Sequence, residues 1–371
     1  MRAKMNQRIS LLKSFIKINL ENLSGNVFKV NLAVTYKCNY KCRICNIWRL
    51  YLDEPDKAGC ELDLDEIKII FQRYNKQLIW VSLTGGEPFL RHDLTEIVGA
   101  IYENCKNLGI INIPTNGSLP NRIEKTILEI IEDFKIPLIY VTVSLDGDPA
   151  RHDFMRGFNG AWARALDSLS RLHQISANYP NLSIDFEYTI SPLNVGGLSP
   201  LLAEIDRYGL SNLKGVIVPA HTGNLYHNIQ MQAYMSNSDR YIPTALKEID
   251  YLIKVAPPSI SDPHSIIRYL YLKLLRKYLS GATRKFFPCT AASGSCFIDP
   301  YGKVYPCIIE NKVLADLREL EYDLNRAVKS NKFISFREKV EKGLCRGCWS
   351  PCEAYPSIIV HPTLSLYKSL T

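Results

Sequence analysis

The chain has 371 residues, 46% of them hydrophobic, enough for one large buried core and a smaller second one. No run of eighteen consecutive apolar residues occurs, and no compact apolar segment near the N-terminus precedes a small-residue cleavage site, so a cytoplasmic protein without a membrane-spanning helix is expected. The formal charge of +8 is weak evidence for nucleic acid, because it counts all eleven cysteines as neutral and metal-bound thiolates would remove several positive units.

Residues 1–26 carry Ile9, Leu12, Phe15 and Ile16 at helical spacing among Arg8, Lys13 and Lys17. The pattern reads as a helix closing one end of the fold, with a helix on a membrane surface as the alternative. From residue 27 onward, strand-like runs at 30–35, 78–83, 110–113, 138–144, 182–190 and 215–218 alternate with helical patterns at 64–74, 94–104, 122–133, 161–175 and 198–207. Strand and helix repeated about six times predicts parallel βα units in an α/β fold, with ligands at the C-terminal ends of the strands. The unusual residues fall at those ends: a cysteine group after strand one, Thr84-Gly85-Gly86-Glu87 after strand two, Thr115-Asn116-Gly117 after strand three, and Ser144 and Asp146 after strand four. In strand five, Asp185, Glu187 and Thr189 alternate with apolar residues, which suits either a polar barrel lumen or a strand end facing solvent.

Nine of the cysteines form two groups, Cys38, Cys42 and Cys45, then Cys289, Cys296, Cys307, Cys345, Cys348 and Cys352. In a reducing compartment such grouping argues for metal, leaving Cys60 and Cys105 as expected core thiols. Three thiolates on a four-iron cluster leave one iron open, and an open coordination site is where a small molecule binds and reacts. A structural zinc site would ordinarily show two spaced pairs instead. After residue 240 a helical stretch at 265–279 leads into cysteine-rich segments expected to be irregular, in which Asp299 to Lys303 suits the turn of a β-hairpin between Cys289 and Cys307.

Cys-x3-Cys-x2-Cys at 38–45 followed by Gly85-Gly86-Glu87-Pro88 resembles the radical S-adenosylmethionine (SAM) superfamily, and the Cys289–Gly302–Cys307–Cys345-x2-Cys348 pattern resembles its twitch or SPASM auxiliary-cluster domain. The resemblance implies a partial (β/α)6 barrel over 27–240, with a helical linker and an auxiliary 4Fe-4S domain over 241–371. It implies that Cys38, Cys42 and Cys45 hold a SAM-binding 4Fe-4S cluster, and that Gly85, Gly86, Glu87 and Pro88 contact the methionyl group. Asn116, Ser144, Asp146, Arg156 and Asn194 would complete the SAM site. Ile44 departs from the aromatic residue often found before the third cysteine. Six remaining thiols fit one auxiliary cluster, with Cys289, Cys307, Cys345 and Cys348 the first choice; Cys296 and Cys352 keep the division open.

The activity so implied is reductive SAM cleavage to a 5′-deoxyadenosyl radical that abstracts hydrogen from a substrate carbon, with an oxidoreductase or isomerase outcome and a reductant such as ferredoxin or flavodoxin as partner. An overall similarity to archaeal members of the calditol synthase kind, together with the basic N-terminal segment, points to a sugar head group of a tetraether lipid and to contact with the membrane surface. Radical modification of a peptide or protein is the alternative. A non-enzymatic electron carrier would have no use for Gly85 to Pro88.

Overall fold

The computed structural model describes residues 2–223, 225–231, 241–259, 263–281, 286–345 and 347–370. Its framework is one nine-stranded sheet in the order β6-β5-β4-β3-β2-β1-β7-β8-β9. The first six strands, β1 Lys29–Thr35, β2 Trp80–Gly85, β3 Ile110–Thr115, β4 Leu138–Ser144, β5 Leu182–Ile190 and β6 Val216–Pro219, are parallel neighbours in chain order. Helices α2 Leu64–Arg73, α3 Leu94–Asn104, α4 Pro120–Asp133, α5 Pro149–Arg156, α6 Ala161–Ser176 and α7 Leu198–Arg207 run between them, and this is the partial (β/α)6 barrel expected.

Local chemistry sets these boundaries. Asp63 and Glu66 form a reciprocal capping box at the start of α2, and Pro120 and Pro149 occupy first-turn positions where no backbone N–H is needed. Gly157 ends α5 at φ 61°, and a side chain there would stand 2.4 Å from the Lys41 carbonyl. The close of α5 therefore sits directly on the cysteine loop.

The C-terminal region joins the same sheet. Strand β7 Ser295–Ile298 pairs in parallel with β1, Lys29 opposite Ser295 and Leu32 opposite Ile298. It then turns antiparallel into β8 Lys303–Tyr305, followed by β9 Ala315–Asp316. The expected hairpin is present, with Gly302 at φ +83° in its turn. Every residue of β1, flanked on both sides, is buried.

The cysteine segments at 286–290, 306–310 and 342–350 are irregular where described, as expected, with helices before, between and after them: α8 Ile242–Val255, α9 Pro263–Leu279, α10 Leu324–Val328, α11 Asn331–Glu341, α12 Pro351–Val360 and α13 Pro362–Leu370. Two expectations are corrected. Cys60 is exposed, while Cys105 is a core thiol. Asp185 shares the inward face with Glu187 and Thr189 but takes the backbone N–H of Gly215 at 2.6 Å instead of lining the lumen. The expected boundary near residue 240 lies outside the described residues.

Helix α1 Arg2–Leu23 caps the end of the barrel where the strands begin: Leu11, Phe15 and Ile18 pack with Phe28, Ile79, Ile110 and Leu138. A side chain at Gly109 would stand 2.1 Å from Ser14 Oγ, so helix and barrel touch closely.

Candidate active site

At the opposite end, where the strands finish, a cavity of about 240 Å³ opens among the strand-end loops. Cys38, Cys42 and Cys45 line it together with Gly85, Gly86, Asn116, Ser144, Asp146 and Arg156. Burial pushes the Cys38 thiol up to about 12, with Cys42 nearby adding to the effect, and burial raises Cys42 and Cys45 as well. Three desolvated thiols crowded together become thiolates only against positive charge, which a metal cluster supplies, so the donor set fits a cluster. Among the described residues no group of His, Cys, Asp and Glu is gathered tightly enough to hold a single metal ion.

Backbone contacts hold the cysteine loop in place. Gly86 N donates to Thr35 O and Glu87 N to Lys37 O, each at 2.8 Å. A side chain at Gly85 would come within 2.0 Å of the Thr35 carbonyl, and one at Gly86 within 2.1 Å of the Lys37 carbonyl. Glycine is required at both because two backbones meet there. From other sides, Arg43 N donates to Met155 O at 2.9 Å, and Asn228 Nδ2 donates to Ile44 O at 2.7 Å.

Two expected contacts are directed elsewhere. The Glu87 carboxylate is buried and accepts from Asn116 N at 2.7 Å, Thr115 Oγ1 at 2.8 Å and Phe89 N at 3.2 Å. It ties the ends of β2 and β3 together, with Pro88 buried behind it, and neither lines the cavity. Asn194 is fully buried: its Oδ1 accepts from Ser191 N and Oγ at 2.8 Å, and its Nδ2 donates to the carbonyls of Asp146 at 3.1 Å and Thr189 at 2.9 Å. It braces the Asp146 turn without reaching the cavity.

Arg156 stands in the wall. One guanidinium nitrogen pairs with Asp146 Oδ2 at 2.8 Å, another lies 3.8 Å from Cys42 Sγ, and Nε is buried with no partner. Also lining the cavity are Lys29, Tyr140, Glu187, Tyr226, Cys352 and Tyr355, of which only Glu187 and Cys352 stand out in the sequence. The Tyr140 and Tyr355 hydroxyls are buried without partners. Burial pushes the Glu187 carboxyl up to about 7 against the pull of Arg156. The sequence signal for the others is Lys29 itself, a lysine opening a first strand that is otherwise mostly apolar.

A second cavity of about 500 Å³ lies in the C-terminal region, lined by Cys289, Cys307, Cys345 and Cys348, with Glu353 and Trp349 beside them. Burial raises the Cys289, Cys307 and Cys348 thiols. Four convergent thiols suit one four-iron cluster. Cys296 lines neither cavity; it is fully buried in β7. Cys352 opens onto the first cavity, not the second.

Comparison with known proteins agrees with this division. Residues 32–185 match the radical SAM superfamily, and residues 289–349 match the SPASM iron-sulfur cluster-binding domain. The chain is 26% identical over 325 residues to the mycofactocin maturase MftC of Mycobacterium ulcerans (strain Agy99), covering 85% of this chain and 78% of that protein. It is 28% identical over 141 residues to the antilisterial bacteriocin subtilosin biosynthesis protein AlbA of Bacillus subtilis (strain 168), 38% of this chain and 29% of the other. The solved structure of native anSMEcpe with bound AdoMet and Cp18Cys peptide shares the fold, at a TM-score of 0.52 and 14% identity over 92% of this chain and 98% of that one.

Proposed function

We propose that this radical SAM enzyme, with its SPASM domain, modifies a carbon of a peptide or protein. The observation that carries the reading is the pair of thiol-lined cavities: three cysteines line the cavity at the strand ends and four more line a second one. A maturase and a bacteriocin biosynthesis protein among the relatives support a peptide, and the anSMEcpe fold accommodates one. These relatives give the lipid head group no support.

Cys38, Cys42 and Cys45 would hold the first 4Fe-4S cluster, and Cys289, Cys307, Cys345 and Cys348 the auxiliary one. When bound, the reduced first cluster and SAM would supply the hydrogen-abstracting 5′-deoxyadenosyl radical. The remaining work belongs to side chains. Arg156, held charged by Asp146, offers its unpartnered Nε to an anionic group such as the SAM carboxylate. Asn116 and Ser144 present short polar groups on the same wall. Tyr140 and Tyr355 offer buried hydroxyls to polar atoms of the substrate, and Glu187 is placed to accept a proton at its carboxylate.

The test is anaerobic reconstitution with iron and sulfide, then incubation with SAM, dithionite and a library of peptides carrying deuterium at side-chain carbons. Deuterium in 5′-deoxyadenosine together with a mass change in one peptide is expected. Transfer only from a glycolipid head group, with none from any peptide, overturns the reading.

A further inference from the structure

We propose that the outer face of α1 is a docking surface for an anionic membrane, on which the enzyme lies with the mouth of its barrel turned away from the bilayer.

The helix has two apolar faces. One, built on Leu11, Phe15 and Ile18, packs on the strand starts. The other is exposed: Ile9, Leu12, Ile16, Leu20 and Leu23 are 46%, 54%, 54%, 57% and 83% accessible. Steps of three, four, four and three residues place all five within an arc of about 80°, a straight stripe about 21 Å long on the side of the helix away from the barrel. Isolated surface leucines need no explanation, but a continuous stripe of five calls for a partner.

The charges beside the stripe name that partner. At 100° per residue, Arg8 falls along one long edge and Lys13 along the other, while Lys17, farther round, donates from Nζ to Asn107 Oδ1 at 2.7 Å. Both Arg8 and Lys13 are exposed. The single acid of the helix, Glu21, lies on another side and accepts from Asn26 Nδ2 at 2.7 Å. An apolar line edged by cations matches an acyl-chain boundary edged by lipid phosphates, with the basic side chains reaching up to the headgroups. No helix among the described residues is long and apolar enough to cross a membrane, so the contact is along the surface. Because α1 covers the strand starts while Cys38, Asn116 and Ser144 sit at the strand finishes, the open site faces the aqueous side.

The test is co-sedimentation of the full-length reconstituted enzyme with vesicles of phosphatidylcholine alone or mixed with phosphatidylglycerol, at low and high salt. Binding to the mixed vesicles, weakened by salt, is expected. A Leu12→Ser/Ile16→Ser/Leu20→Ser variant and an Arg8→Glu/Lys13→Glu variant should each bind about tenfold less or weaker still. Both should keep wild-type iron content and deoxyadenosine formation, since these side chains project from the outer face. Absence of vesicle binding, or binding that neither variant changes, overturns the proposal. Sedimentation equilibrium showing a dimer that the serine variant dissolves also overturns it, by assigning the stripe to a second copy of the chain.

Discussion

The Lys29 ammonium donates to the main-chain carbonyl of Cys352 at 2.5 Å, and lies 4.2 Å from the centroid of the Trp80 ring. This bond joins the start of the first strand to the start of α12, where the Cys352 thiol faces the lumen, while Cys289, Cys307, Cys345 and Cys348 line the second cavity.

Cys352→Ala is therefore expected to retain about eight irons per chain after reconstitution, whereas Cys307→Ala should fall to about four. Iron and sulfide counts on the two variants decide it. Loss of about four irons from the Cys352 variant would return that residue to the auxiliary ligand set.

Gly86→Ala drives a methyl group against the Lys37 carbonyl, with backbone on both sides and nothing that can swing away. The cost is about 2–4 kcal/mol, localised to the cysteine loop. First-cluster iron and deoxyadenosine formation should be lost while about four auxiliary irons remain, measured by iron count and the electron paramagnetic resonance of the reduced protein.

Strand and helix positions in the barrel were legible because apolar runs of strand length and helical spacing each leave a period in the sequence. So was the division of cysteines into two groups. The split within the second group was not, because Cys348 and Cys352 are four residues apart across a helix start, and only the folded cavities show that they face different ways. Glu87 belongs to a recognisable motif and Asn194 to none, yet both side chains answer to local backbone donors and acceptors that no motif encodes. The C-terminal helices were hidden by short lengths and by prolines such as Pro356 within α12.

Glu187 should impose a pH dependence. With its carboxyl pushed up to about 7, it is protonated below that pH and able to accept a proton above it. Product formation should rise through pH 7 in the wild type, and Glu187→Gln should be flat across the window and slower by about a hundredfold. An unchanged profile in the variant would remove Glu187 from proton transfer.

Arg318 holds Glu66 from two nitrogens, Nε to Oε1 at 2.8 Å and Nη2 to Oε2 at 2.9 Å, joining α2 to the loop after β9. Hydrogen bonds from Arg318 pull the Glu66 carboxyl down to about 2, from an ordinary 4.5. A depressed carboxyl stabilises the fold above pH 4.5 and loses that contribution as pH falls toward 2. Solvent screening at the partly exposed Arg318 limits it to about 1 kcal/mol. Chemical denaturation of Glu66→Gln should match the wild type near pH 2 and fall below it at pH 7.

The pairing of β1 with β7 has a consequence for synthesis. Lys29 to Leu32 leave the ribosome more than 260 residues before Ser295 to Ile298, the strand they must meet. Until then the nascent barrel carries an unpaired edge beside its cysteine loop, exposed to mispairing but also open to whatever delivers iron. Arrival of β7 closes that edge, so the order of translation gives the first cluster a window for insertion before the second set of thiols is complete.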